Sequence, residues 1–217
     1  GGLYPGPDCS RDGRGGHGVK VVGLFAGIGG IELGLQQAGH ETLLLCEKDP
    51  AARAVLETRF PDAKLHEDIT TLGTLPSETE LVTAGFPCQD LSQAGRGEGI
   101  RGAKSGLVSH VFRLLRQRPV PWVLIENVPF MLRLGRGAAM DYVVTELEQL
   151  GYAWAYRVVD TRSFGLPQRR RRVYLLARLG DDAPIQLFQD DDGAPRRVDY
   201  EGRGCGCYWT AGPRGRG

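Results

Sequence analysis

The chain has 217 residues, 41% apolar and 24% charged, enough for one medium domain with its own core and too few for two. Those proportions are ordinary for a soluble globular protein, and no apolar run approaches the ~18 residues of a membrane span. A net charge of +1 carries no global polyelectrolyte signal for nucleic acid, although 23 of the 27 basic residues are arginine, the side chain suited to bidentate phosphate and base contacts.

Five cysteines, odd in number and scattered, argue against a disulfide framework, and no charged-then-apolar leader of the secretory kind opens the chain. An intracellular protein is expected. Residues 1–18, with seven glycines and two prolines, read as a flexible lead-in. From 19 to 179 strands and helices alternate. A strand at 19–25 is followed by a helix at 27–38, with Ile28, Ile31, Leu35 and Ala38 on one face. Then come a strand at 41–47, a helix at 50–60 with proline at its start, and strands at 63–69 and 81–86. A helix at 105–117, a strand at 122–128, a helix at 138–150 closed by Gly151, and strands at 152–160 and 171–179 complete the series. Such alternation predicts an α/β fold, Rossmann-like, with a mostly parallel sheet covered by helices on both faces. The short connector 161–170 predicts an antiparallel last strand. Beyond 180 the pattern dissolves into an acidic patch and a Gly/Arg-rich irregular tail.

The turn Phe25-Ala26-Gly27-Ile28-Gly29-Gly30 follows the first strand and opens the first helix. Glycines there allow a tight turn and close approach of backbone to a ligand. The spacing is G-x-G-G, not the G-x-G-x-x-G of a dinucleotide site. Glu47 ends the second strand, where an acid can hold ribose hydroxyls, and Asp68-Ile69 ends the third, an acid for an adenine amino group beside an apolar residue for the ring. With Asp49 next to Glu47, this trio favours a nucleoside cofactor without phosphates.

Gly85-Phe86-Pro87 delivers Cys88 at the end of the strand 81–86, the edge of an open α/β sheet where chemistry happens. Taken alone, Cys88 also reads as a small buried hydrophobe. Glu126, followed by Asn127 and Val128, stands at the end of an apolar strand. Desolvation there would raise its pKa and make it a proton donor or holder; the alternative is a structural carboxylate paired to an arginine. A thiol that adds to an electron-poor ring and an acid that protonates a ring nitrogen together turn an unreactive carbon into a nucleophile. Gln168-Arg-Arg-Arg-Arg172 runs into the last strand, and period-two alternation predicts Gln168, Arg170 and Arg172 on one side, aimed at a substrate anion or carbonyl oxygen. A solvated face is the plainer reading of that run.

These four motifs, in this order and spacing, resemble the DNA cytosine-5 methyltransferase family over about 19–179. The resemblance implies that Cys88 attacks carbon 6 of a flipped-out cytosine in DNA, Glu126 contacts ring nitrogen 3, and Arg172, supported by Arg170, holds the ring oxygen side. It implies S-adenosyl-L-methionine as methyl donor to carbon 5, with Phe25, Ala26, Gly27, Gly29, Gly30, Glu47, Asp68, Ile69, Pro87 and Leu107 at the cofactor positions. Asn127 matches a residue bracing the Pro-Cys loop; Gln89, Ser92 and Gln168 fall at substrate positions. Residues 89–106, with Arg96, Arg101 and Lys104, match a mobile loop that closes over DNA, although their composition also fits an ordinary surface loop. Three features depart from the family pattern. Lys48 stands where some members carry tryptophan, Val108 follows Gly106-Leu107 where phenylalanine is commoner, and a target-recognition region with its closing C-terminal motifs is missing. The tail from 180 is expected to begin that region, or a second subunit to supply it. Its Cys205-x-Cys207 pair lacks the partners of a four-coordinate metal site, so no metal is expected.

Such an enzyme serves either restriction-modification or regulation, and the compact chain is expected to work in the bacterial cytoplasm or, in a eukaryote, the nucleus. A tRNA cytosine-5 methyltransferase fits less well, since that group typically has a second proline where Phe86 stands. A non-catalytic DNA-binding subunit is the alternative outside enzymes.

Overall fold

The computed structural model describes residues 18–87, 106–180 and 208–211. Eight strands form one sheet: β1 (Lys20–Leu24), β2 (Glu41–Cys46), β3 (Lys64–His66), β4 (Leu81–Ala84), β5 (Trp122–Asn127), β6 (Tyr152–Asp160), β7 (Arg171–Leu179) and β8 (Tyr208–Ala211). Their order across the sheet is β3-β2-β1-β4-β5-β7-β6-β8. The first five in that order run parallel; β7 is antiparallel to both β5 and β6, and β8 is antiparallel to β6. The fold is thus the mixed α/β sheet with an antiparallel last strand that the sequence pattern implies.

Among the described residues four α-helices connect the strands: α1 (Gly30–Gln37), α2 (Pro50–Arg59), α3 (Val108–Gln117) and α4 (Ala138–Gln149). Strand alternation divides the core between the two faces. Leu44 and Cys46 of β2 join the larger apolar cluster with Val111, Phe112 and Leu115 of α3 and Val143 and Leu147 of α4. Leu45, between them, joins Leu56 of α2 and Phe60 at its end. All four residues of β4 are buried, so it reads as a continuous apolar run, not as alternation. α2 starts where Asp49 accepts a hydrogen bond from the Ala51 amide at 2.9 Å and Pro50 fills the first helical position.

Three elements differ from the sequence pattern. α1 begins at Gly30, three residues later than expected, because Phe25, Gly27 and Gly29 take left-handed backbone angles and spend those residues on a turn. Ile28 is consequently 59% exposed, and the residue of α1 that is buried is Glu32. β3 spans only three residues, since Asp68 starts a turn of its own. In the stretch read as irregular, Tyr208–Ala211 pairs with β6; an aromatic, β-branched Tyr-Trp-Thr segment suits a strand, and its Gly/Arg surroundings hide it.

Glu32 lies between α1 and the sheet, 1% exposed. The Thr83 hydroxyl of β4 donates to its Oε1 at 2.6 Å, and Gly23 of β1 makes room, since a Cβ there would sit 2.5 Å from that oxygen. Among the described residues Oε2 has no hydrogen-bond partner. Burial pushes the carboxyl above its ordinary value of 4.5, opposed by the Thr83 bond. Folding therefore takes up a proton: the group is harmless in acid and increasingly unfavourable as pH rises from its unfolded towards its folded pKa. Glu32→Gln keeps the shape without the titration. In urea unfolding, its stability relative to wild type should improve as pH rises above the ordinary carboxylate value; a difference independent of pH would mean the buried group stays charged.

Candidate active site

The parallel ladder sets the functional residues in one row. Leu24 of β1 pairs with Cys46 of β2 and Ala84 of β4, and Ala84 pairs with Ile125 of β5. The next residue on each strand is Phe25, Glu47, Gly85 and Glu126, at the carboxyl edge where open α/β sheets bind ligands.

On one side of this row is a cavity of about 560 Å³, a size suited to a nucleoside-sized ligand. Phe25, Gly27, Glu47, Asp68, Ile69, Pro87 and Leu107 line it. The Phe25 ring meets Phe86 edge-on, with centroids 6.3 Å apart. Glu47 is fixed by the turn it faces: Oε2 accepts from the Gly27 amide and Oε1 from the Asp49 amide, both at 2.8 Å. Asp68 accepts from the Thr70 amide at 2.9 Å and from Lys48 Nζ at 3.2 Å, and these bonds hold its pKa down to about 2. Ala26, Gly29 and Gly30, grouped with the cofactor residues in the sequence, do not line the cavity. Ala26 packs on the Leu45–Phe60 cluster, and Gly30 is the first residue of α1. Gly29 is required by packing, because at φ 81° a Cβ would lie 2.4 Å from the Phe60 ring.

The walls also include Cys46 and Glu67, which no motif marks, together with Lys48, Asp49 and Gly85. Cys46 is buried, and burial followed by the Asp68 and Glu47 charges pushes its thiol up to about 12. It is an inert thiol. Four carboxylates against one lysine make the lining acidic, which disfavours phosphate and favours a cationic or hydroxyl-rich ligand.

On the other side of the row stands Glu126, whose Oε1 meets Arg172 Nε at 2.7 Å, both side chains about one-fifth exposed. Gly85 adjoins the carboxylate: a Cβ there would lie in ordinary contact, 3.5 Å from Glu126 Oε2. Asn127 is 4% exposed and braces the turn after β4: its Nδ2 donates to Phe86 O at 3.0 Å, and its Oδ1 accepts from the Val128 amide at 2.8 Å. Tyr174 faces Glu126 across the β5–β7 ladder; burial and the Glu126 charge raise its pKa, while Arg170 and Arg172 lower it, which puts the Arg170 charge within range of the same spot. Gln168 and Arg170 nonetheless precede β7, exposed, in a turn where Thr161 donates to the Gln168 and Arg170 carbonyls. Strand alternation starts only at Arg171 and does not reach them. Cys88, Gln89 and Ser92, with Arg96, Arg101, Lys104, Cys205 and Cys207, lie outside the described residues.

The chain matches the profile of the C-5 cytosine-specific DNA methylase family over residues 19–193. It is 56% identical over 210 residues to the Type II methyltransferase M2.BsuMI of Bacillus subtilis (strain 168), covering 92% of this chain and 53% of that protein. It is 34% identical over 183 residues to the Type II methyltransferase M.BsuFI of Bacillus subtilis, covering 82% of this chain and 44% of that one. The chain thus spans about half the length of these curated relatives. The solved structure of S. pombe Dnmt2 methyltransferase superposes with a TM-score of 0.61 at 21% identity, covering 84% of this chain and 57% of that one, a likeness of fold.

Asn127→Leu would leave the Phe86 carbonyl and the Val128 amide without their side-chain partner in a buried setting. A loss of about 2–4 kcal/mol in urea unfolding is expected; a loss below about 0.5 kcal/mol would show that the brace is dispensable.

Proposed function

The chain belongs to the C-5 cytosine-specific DNA methylase family, and on that premise we propose that it carries the catalytic part of an enzyme that methylates carbon 5 of cytosine in double-stranded DNA. The observation that carries this reading is at Gly85, which lines the acidic cavity and also lies against the Glu126 carboxylate. A methyl donor in that cavity and an acid on the target ring would thus face each other across one residue, two positions before Pro87 hands the chain to Cys88.

S-adenosyl-L-methionine fits this cavity, since its sulfonium and hydroxyls suit the carboxylates and it has no phosphate to be repelled; when bound it supplies a methyl group on a positively charged sulfur. Glu47 would hold the ribose hydroxyls and Asp68 the adenine amino group, with Ile69, Phe25, Pro87 and Leu107 against the apolar surfaces. The target cytosine must leave the duplex, because its reacting carbons are inaccessible in the stack. In our reading Cys88 adds as thiolate to carbon 6, and Glu126 puts and holds a proton on nitrogen 3. The electron pair gathered at carbon 5 then takes the methyl. Removal of the carbon 5 proton expels the thiolate, and return of the nitrogen 3 proton to Glu126 restores the neutral ring. A ring edge with an oxygen beside a nitrogen matches a guanidinium held beside a carboxyl, as Arg172 and Glu126 are. Arg170 lends its charge near that edge, Asn127 holds the Pro87-Cys88 turn, and Gln89 and Ser92 contact the DNA.

Residues 19–179 form the catalytic domain in this proposal, with 1–18 as a lead-in. Target recognition belongs to sequence beginning near 180 or to a second subunit, since the relatives are about twice as long. No helix among the described residues is long and apolar enough to cross a membrane. The proposed setting is the bacterial cytoplasm, in a restriction-modification pair. Full-length protein with S-adenosyl-L-methionine should form a covalent complex with duplex DNA containing 5-fluorocytosine, which has no carbon 5 proton to lose; Cys88→Ser should form none. Trapping of RNA alone would move the substrate to RNA, and no trapping of either would make the chain a binding subunit. Glu126→Gln should lower kcat about 10²–10⁴-fold in methyl-transfer assays, and an unchanged rate would remove it from the chemistry.

A further inference from the structure

Asp68 and Ile69, which form one wall of the cavity, belong to a single helical turn that does not continue. The Thr71 and Leu72 amides both donate to Asp68 O, at 3.0 and 3.2 Å. Such a turn leaves its last carbonyls pointing onward with no following turn to meet them. One side chain collects them. Arg113 of α3 donates from Nη2 to Ile69 O at 2.9 Å and to Leu72 O at 2.8 Å, and from Nη1 to Gly73 O at 3.4 Å. Its Nε faces His110 Nδ1 at 3.4 Å, which keeps the guanidinium plane oriented from its own helix. Only arginine offers several donors in one rigid fork.

The helix carrying this clamp is immobilised by Val111, Phe112, Leu114 and Leu115, each fully buried. Leu107, immediately before α3, lines the same cavity as Asp68 and Ile69. Arg113 does not line the cavity, yet it ties the wall after β3 to the wall at the start of α3. Ile69 and Leu72, whose carbonyls it holds, are themselves buried, so the tie ends on fixed backbone at both sides. None of its contacts reaches Glu126, Arg172 or the Pro87 turn.

We propose that Arg113 is a positioning residue for the cofactor: it sets the separation of Asp68 and Ile69 from Leu107, and thereby the affinity for S-adenosyl-L-methionine, without acting on the target base. This rests on the reading of the cavity as the cofactor site. Full-length Arg113→Met should bind S-adenosyl-L-methionine about tenfold or more weakly in calorimetry, the loss of about one to two hydrogen bonds to carbonyls. At saturating cofactor its kcat and its KM for DNA should stay within about twofold to threefold. Arg113→Lys, which keeps the charge but cannot reach three carbonyls, should fall between and carries the test if the methionine variant does not fold. Arg116→Met is the control: Arg116 is on the same helix but pairs with Glu146, away from the turn, and cofactor affinity should not change. Unchanged cofactor affinity in both Arg113 variants overturns the clamp alone, as does an equal fall in kcat at saturating cofactor. Wild-type protein that binds no S-adenosyl-L-methionine overturns the reading of the cavity, and the clamp with it.

Discussion

The register of the parallel ladder is the constraint on which the site depends. Leu24, Cys46, Ala84 and Ile125 are tied side by side by backbone hydrogen bonds. The residues that leave the ladder next are therefore level with one another. Because side chains alternate at every residue, a slip of one position on β4 or β5 would send Glu126 to the opposite face and detach Gly85 from it. The buried flanks prevent such a slip: β4 is buried along its whole length, and Val123 and Ile125 are at most 1% exposed. The geometry of the candidate site is thus specified by apolar packing a few residues away from its polar groups.

Charge is partitioned across that row. On the cavity side the carboxylates outnumber the cations, and each of the two central ones is already anchored, Glu47 by the Gly27 and Asp49 amides and Asp68 by Thr70 and Lys48. Anchored carboxylates keep further lone pairs for a ligand and lose little freedom on binding it. On the base side a single carboxylate meets a single guanidinium, and both retain about one-fifth exposure. A pair of that kind is neutral overall yet presents an acceptor and donors in a fixed plane, which suits a neutral heterocycle better than a phosphate. On the proposed reading the two halves would recognise chemically different partners although only the strand spacing separates them.

Much of this was legible in the letters. Gly-Pro punctuation and apolar runs located β4 through β7, and the acids at strand ends fell where the cavity walls are. What escaped detection did so for identifiable reasons. The phase of α1 depends on how many residues the Phe25–Gly29 turn consumes, and a non-glycine residue at positive φ, Phe25, is not announced by its neighbours. Nothing in the sequence marks Glu32, because its partners Thr83 and Gly23 are tens of residues away or carry no side chain. Gln168 and Arg170 were grouped with Arg172 by a period of two that holds only inside a strand, and β7 starts after them. β8 was masked by composition. Arg113 sits in a helix with Arg116 and a terminal Arg118, where one arginine among three gives no signal; only its opposite number, a truncated turn with unmet carbonyls, distinguishes it.

The same device recurs at both ends of the site, and this explains why loops at the sheet edge can be rigid enough for chemistry. Strand ends and aborted turns expose backbone carbonyls that no ladder partner or helical turn satisfies. Beside Glu126, Asn127 donates to the Phe86 carbonyl; beside the cavity, Arg113 donates to those of Ile69 and Leu72. Each donor comes from a neighbouring element that is itself buried, so the loop inherits the stiffness of the core. The choice of side chain follows the geometry of the task. A single carbonyl beside an adjacent amide is matched by the amide of Asn127, which gives one bond and takes one. Several carbonyls fanned around the end of a turn require a fork of donors, which only a guanidinium provides. Loop rigidity here is therefore a property of which carbonyls the chain leaves open and which distant side chain is shaped to receive them.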